Sequence, residues 1–298
     1  MTTGFRSERP TFIDLSARVK LRVTGVDVFR FLNGQVTNNL GKARESAAIQ
    51  ASILNAKGKL SAHVFISKEG DAGFLLDADP ELGEELPMRL ERYIIADDVQ
   101  IEDITEKFSI FHVLDESQPM ITGSTRTVAA TRFGFAGWDI WSAKENAPEI
   151  RGQLTANFAF CDDACAEVIR IEQGIPRWGR ELTNEIIPIE ANLEQSSIDY
   201  SKGCYIGQEV VSRMKMSGQR NKSLCGLVSL SGAALQTSVH LTGETDPAKD
   251  VGWITSATRS PRLGKEIALG YMKRGYNGAG TNLQAGDVAV EVVELPFV

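Results

Sequence analysis

Apolar and polar positions along the first hundred residues change period several times. Segment 18–25 alternates in the manner of a half-buried strand and stops at Gly25. Beyond it Val28, Phe31 and Leu32 fall at helical spacing, with Asp27 as a candidate N-cap. The run AAIQASILN, a turn at Ala56-Lys57-Gly58-Lys59, and LSAHVFI together predict a hairpin over 47–66. GFLLDAD (73–79) predicts a further strand, followed by an acidic helix around 80–92 and a returning strand over 104–113. Hairpins interleaved with helices indicate an α+β domain rather than a parallel doubly wound sheet, and the glycine-rich dinucleotide fingerprint is absent. From residue 223 the pattern becomes short strands broken by Gly, Pro, Asp and Asn: LCGLVSL, SVHLTGE, DVGWITSAT, EIALGYMKR and VAVEVVEL. Five or six such strands predict a small β-barrel or sandwich. The expected division is 1–222, an α+β region of two subdomains, and 223–298, with the boundary near Gln219–Lys222.

One helix carries clear punctuation. In DDACAEVIRIEQGIP (162–176), Asp162 or Asp163 can cap the start, Gly174 suits the end, and Pro176 blocks continuation. With Cys165 set to zero, Val168, Ile169 and Glu172 fall at about −60°, +40° and −20° on the helical wheel. Glu172 therefore sits within the apolar stripe, and Arg170 is expected on the opposite side. A buried carboxylate is costly unless paired or hydrogen-bonded. Glu172 either forms a salt bridge with Arg177 or Arg180, or accepts the N–H groups of a ligand such as an aminopyrimidine edge.

Composition narrows the function classes. At 42% hydrophobic and 24% charged residues the chain is that of a soluble globular protein. No apolar run reaches the roughly 18–20 residues of a membrane span. The start, MTTGFRSERPTFIDL, has no secretory h-region. The net charge of −7 argues against a broad nucleic-acid surface. A local basic patch remains in RMKMSGQRNK (213–222), and the strand predicted over VSRMKM (211–216) puts Arg213 and Lys215 on one face, opposite Ser212, Met214 and Met216. Cysteines 161, 165, 204 and 225 lack a disulfide-scaffold spacing, which fits a reducing, cytoplasmic compartment. No C-x-x-C pair supports a resident cluster or zinc site.

The stretch KGCYIGQE (202–209) concentrates the remaining chemistry. Cys204 is either a small hydrophobe in a tight turn or a functional thiol. In an extended segment Lys202 and Cys204 project to the same side, where an ammonium stabilises a thiolate. With histidines only at 63, 112 and 240, a Cys–His hydrolase pair is not indicated by the sequence.

The order of motifs resembles a known family. VIRIEQGIPRWGREL (168–182), the proline and glutamate of IIPIEANL, and DYSKGCYIGQEVVSR (199–213) are similar to the folate-binding YgfZ proteins, relatives of the glycine-cleavage T-protein (aminomethyltransferase). The K-G-C, aromatic, x-G-Q-E element is that family's signature. LRVTGVDVFRFLNGQVTNNL and ILNAKGKLSAHVFI resemble its N-terminal elements, and 251–274 resembles its C-terminal barrel; residues 105–160 match least.

The resemblance implies T-protein-like α+β subdomains around a central folate cavity, with a C-terminal β-barrel. It implies tetrahydrofolate, possibly polyglutamylated, as the ligand, with Glu172 at the pterin edge. Tyr205 is a further candidate contact, and Lys202, Arg213 or Lys215 is expected to meet the glutamate tail or a partner's acidic surface. Cys204 with Lys202 forms the expected functional loop. T-proteins carry paired aspartates after the hairpin turn; here those positions are Ala62 and His63. Loss of the acid argues against aminomethyl transfer, and a protein without conventional turnover is expected, monomeric and cytoplasmic. Its expected role is to support iron–sulfur client enzymes, including tRNA-modifying ones, without binding nucleic acid or membrane itself. A folate-dependent one-carbon transferase with an altered acid and an interaction module with a vestigial cavity are the alternatives.

Overall fold

The computed structural model describes residues 10–71, 73–243 and 248–298. The strands are β1 (Thr11–Asp14), β2 (Val19–Thr24), β3 (Ile49–Leu54), β4 (Leu60–Lys68), β5 (Gly73–Ala78), β6 (Gln100–Asp103), β7 (Phe108–Leu114), β8 (Arg126–Ala129), β9 (Trp138–Ala143) and β10 (Ala159–Cys161). Then follow β11 (Lys222–Ser229), β12 (His240–Gly243), β13 (Asp250–Ser260), β14 (Lys265–Lys273), β15 (Asn282–Ala285) and β16 (Val288–Val293). The helices are α1 (Val28–Gln35), α2 (Glu85–Glu91), α3 (Ala147–Asn157), α4 (Asp163–Glu172), α5 (Glu194–Ser197) and α6 (Gln208–Ser217).

Contacts divide the chain into two compact units. The first comprises Met1–Leu54, Ser61–Ala166 and Ser197–Ile206; the second comprises Asn55–Leu60, Glu167–Ser196 and Gly207–Val298.

The first unit is built on two five-stranded sheets, ordered β3-β4-β5-β2-β6 and β10-β1-β7-β9-β8. Every residue of β5 is buried, as a strand with neighbours on both edges and cover on both faces requires. The predicted helix forms at α1, and Val28, Phe31 and Leu32 are its buried stripe. Asp27 does not cap it; its carboxylate instead accepts the Asp98 N–H at 2.9 Å, holding the loop before β6.

A charged centre joins the two sheets within this unit. Arg132, after β8, grips Asp77 of β5 at 2.9 and 2.7 Å and Asp139 of β9 at 2.8 and 2.7 Å. Asp139 also bonds His112 Nδ1 of β7 at 2.8 Å, and Arg18 pairs with Asp77 and Asp79. Burial opposes the Arg132 charge, but Asp139 and Asp77 outweigh it and raise the guanidinium above its ordinary value. The Arg132 guanidinium also stacks 4.0 Å above the Phe65 ring.

The second unit is organised on a closed six-stranded barrel, β11-β14-β13-β12-β15-β16. Its interior is filled by Leu227, Leu241, Val251, Ile254, Met272 and Leu283, among others. Gly252 and Gly270 face the backbone of the partner strand so closely that a Cβ would stand 2.2 and 2.6 Å from carbonyl oxygens. The predicted barrel is therefore present, and the α+β expectation for the whole chain holds.

Candidate functional site

Helix α4 starts as its punctuation indicates: the Asp162 carboxylate accepts the Cys165 N–H at 2.9 Å. Cys161 and Cys165 are joined as a disulfide across this start, which corrects the expectation that the cysteine spacing offers no disulfide. The spacing was misread because Cys161 ends β10 while Cys165 opens a helix. That change of direction brings their Cα atoms to 5.4 Å, within disulfide reach.

At the other end of α4, Glu172 points inward with 1% of its surface exposed. The Ser260 hydroxyl of β13 donates to its Oε1. Ser260 is itself fully buried and accepts the Leu263 N–H at 3.1 Å, which fixes the hydroxyl for that purpose. Among the described residues no cation pairs with Glu172. Arg177 pairs instead with Glu167 at 3.3 Å, so the proposed bridge to Arg177 or Arg180 does not form.

Arg170 was expected on the open side of α4 and is instead 4% exposed. It donates to Glu167 at 2.9 and 2.6 Å, to Glu181 at 2.9 Å and to the Ser256 hydroxyl at 2.7 Å. Glu181, fully buried, also accepts from Thr255 and Ser256. Both faces of this end of α4 are covered: Arg170 lies in a charge cluster, and Glu172 lies against Ser260. A helical wheel marks the apolar side, but it does not show that a buried acid elsewhere balances a polar one.

The KGCYIGQE loop is not extended, and this overturns the shared side of Lys202 and Cys204. Asp199 accepts both the Ser201 N–H at 2.8 Å and its hydroxyl at 2.6 Å, folding the chain into a turn. Lys42 pairs with the same carboxylate at 2.8 Å. Lys202 is then buried and donates to the carbonyls of Asn33 and Val36, the free acceptors at the C-terminal end of α1. Its ammonium stands 5.2 Å from the ring centroid of the buried Tyr205. Burial pulls its pKa down to about 8. Cys204 points the other way, exposed. The structure thus brings Lys202 and Tyr205 together and leaves the thiol on the surface.

Ala62 is fully buried on β4. Beside it, His63 lies edge-on to Phe65 with ring centroids 6.0 Å apart, and its Nδ1 has no hydrogen-bond partner. Burial lowers its pKa to about 4, so the imidazole is neutral near pH 7.

The basic segment is the largest departure from expectation. Residues 208–217 form α6 rather than a strand, so Arg213 and Lys215 stand about 200° apart and share no face. Gly207 starts the helix at φ 83°, in the left-handed region that glycine occupies without strain. The residues after it are mostly good helix formers, which outweigh the strand-like alternation of VSRMKM. The patch is also neutralised from elsewhere in the unit: Arg213 pairs with Glu209 at 2.5 Å and Lys215 with Glu194 at 2.5 Å. Arg220 takes Glu194 at 3.1 Å, and Lys222 takes Glu190 at 3.9 Å. Arg213 is exposed and lines an open depression on α6 with Glu209, Ser212, Met216 and Ser217.

Known proteins share this architecture. Residues 222–298 match the glycine cleavage T-protein C-terminal barrel domain. The crystal structure of aminomethyltransferase T from Bartonella henselae superposes with a TM-score of 0.84, covering 97% of this chain and 86% of that one at 16% identity. This chain has the fold of the glycine-cleavage T-protein. Among curated relatives, the mitochondrial iron-sulfur cluster assembly factor IBA57 homolog of Dictyostelium discoideum is 24% identical over 80% of this chain and 67% of its own length. An aminomethyltransferase of Streptomyces coelicolor is 22% identical over 97% of this chain and 86% of its own. One from Aquifex aeolicus reaches 34%, over 55% of this chain and 42% of its own. The relatives therefore divide between transferases and an iron–sulfur assembly factor. No helix among the described residues is long and apolar enough to cross a membrane.

Proposed function

We propose that this T-protein relative binds tetrahydrofolate and supports the assembly or upkeep of iron–sulfur enzymes, tRNA-modifying ones among them, without aminomethyl transfer of its own. The observation that carries the reading is Glu172: a buried carboxylate, oriented by a buried serine hydroxyl, with no cation on it among the described residues. Such a group fits the donor edge of a pterin, whose ring N–H and exocyclic amine present two parallel donors. Bound tetrahydrofolate supplies a one-carbon carrier. The chain's own contribution is to hold its ring through Glu172, with Arg213 of the same unit as an exposed cation for a polyglutamate tail, while Tyr205 packs beside Lys202.

Two observations separate this reading from aminomethyl transfer. Where the resemblance expects paired aspartates, the chain has Ala62 and His63, and His63 is neutral and packed against Phe65. The IBA57 homolog among the relatives supports the iron–sulfur role. The cytoplasm, a monomeric state and the absence of direct nucleic-acid or membrane binding belong to the same proposal. Cys204 is the exposed thiol available to a client protein, whereas Lys202 acts as the cap of α1 that shapes its loop.

The test is tetrahydrofolate binding followed by tryptophan fluorescence, together with an assay for ammonia release from an aminomethyl donor. Binding without ammonia release supports the proposal. Ammonia release coupled to methylene-tetrahydrofolate formation would establish a transferase instead, and absence of binding would leave an interaction module. For the client role, Cys204→Ser should bind folate normally and fail to support an iron–sulfur enzyme in cells lacking the native protein.

A further inference from the structure

We propose that Cys161 and Cys165 form a reversible dithiol–disulfide couple that exchanges with small-molecule thiols and disulfides, with Cys165 as the sulfur that meets them. This does not rest on the folate reading, and it concerns the opposite end of α4 from Glu172.

The pair sits where β10 becomes α4. Cys161 ends the edge strand of its sheet, in parallel register with Ile13 of β1, and is 1% exposed. Cys165 lies in the first turn of α4 and is only partly buried. A reagent from solvent can therefore reach Cys165 and not Cys161. The Asp162 carboxylate holds the Cys165 N–H, so this turn keeps its starting geometry without relying on the sulfur bond. The Cα separation of 5.4 Å lets the bond form without moving either element. The other two cysteines are told apart from this pair: Cys225 is buried in the barrel, where burial pushes its thiol up to about 11, and the exposed Cys204 falls in a different tryptic peptide, 203–213.

The exchange balances with a low-molecular-weight disulfide as the oxidant. The Cys165 thiolate attacks one sulfur of glutathione disulfide, forming a mixed disulfide and releasing one glutathione thiolate. The Cys161 thiolate then attacks the Cys165 sulfur and releases the second. Two protein thiols lose two electrons to the glutathione disulfide, and their two protons end on the two glutathione thiols. Reduction runs the same steps in reverse.

The test uses the full chain, equilibrated in glutathione buffers from fully reduced to fully oxidised, quenched with acid and alkylated with N-ethylmaleimide. The tryptic peptide 152–170 contains Cys161 and Cys165 and no other cysteine. The expected result is two alkyl groups at the reducing end, none at the oxidising end, and full recovery of both thiols after dithiothreitol. In oxidised buffer, Cys161→Ser should carry one glutathionyl group on Cys165, while Cys165→Ser leaves Cys161 unmodified. Alkylation of both cysteines in every buffer would overturn the proposal. So would a bond that survives fully reduced glutathione, which would mark a permanent crosslink. Glutathione on Cys161 in the Cys165→Ser variant would overturn the assignment of the attacking sulfur.

Discussion

Glu172 and His63 are two buried titratable groups with different consequences. Glu172 keeps a single serine donor on its side chain and no counter-charge among the described residues. His63 has lost solvation without gaining a partner at Nδ1, and its pKa falls from 6.5 to about 4. The sign follows from proton binding. Between those values the unfolded chain binds the proton and the folded chain does not, so stability is lost as pH falls through that window. His63→Gln should therefore flatten the pH dependence, with wild type losing about 3 kcal/mol more than the variant between pH 6.5 and 4. Parallel urea titrations across that range check it; equal slopes would contradict the buried, unpartnered imidazole. Arg132 is the opposite case, since its two aspartates already satisfy it. Arg132→Met should leave Asp77 with Arg18 alone and Asp139 with His112 alone, and cost about 3–5 kcal/mol, read from the shift of the denaturation midpoint.

At the scale of elements, the β3–β4 turn and the start of α6 are matched to each other. Gly58 has φ 73°, and a Cβ there would stand 2.7 Å from Val210 Cβ. Gly58→Ala combines the left-handed penalty with overpacking, and a loss of about 2–4 kcal/mol is expected in thermal or urea unfolding. The loss should be smaller in a Val210→Gly background, which removes the Cβ that the new methyl meets; an equal loss there would show that the clash is not the cause. The elements legible in the sequence were those whose pattern was reinforced locally. These were the hairpin, α1, the barrel strands, and α4 with its capping aspartate and terminal glycine. The inward carboxylate was legible too, because Glu172 falls between Val168 and Ile169 on the wheel. Three features were not. VSRMKM alternates like a strand, but Gly207 and the helix-forming residues around it decide otherwise. Lys202 looked like a thiol's neighbour because its true partners, the carbonyls of Asn33 and Val36, lie some 166–169 positions away. The Arg132 centre draws on β5, β7 and β9, and no local pattern marks it.

For the molecule as a whole, the proteins it is similar to include aminomethyltransferases and an iron-sulfur cluster assembly factor, so the likeness does not choose between the two roles. The choice rests on particular positions: Ala62 and His63 where acids are expected, and Cys204 exposed on a loop held by Lys202 and Asp199. Both readings require a folate held by Glu172, and that requirement is the central claim. Its most direct measurement is a tetrahydrofolate titration of wild type and Glu172→Gln by tryptophan fluorescence, with unfolding curves for both. The account requires the variant to stay folded and to bind about 10–100-fold more weakly, the loss of one charge-assisted hydrogen-bonded contact. Equal affinity in a folded variant, or a variant that unfolds while wild type shows no binding, would contradict it and leave Glu172 a structural acid.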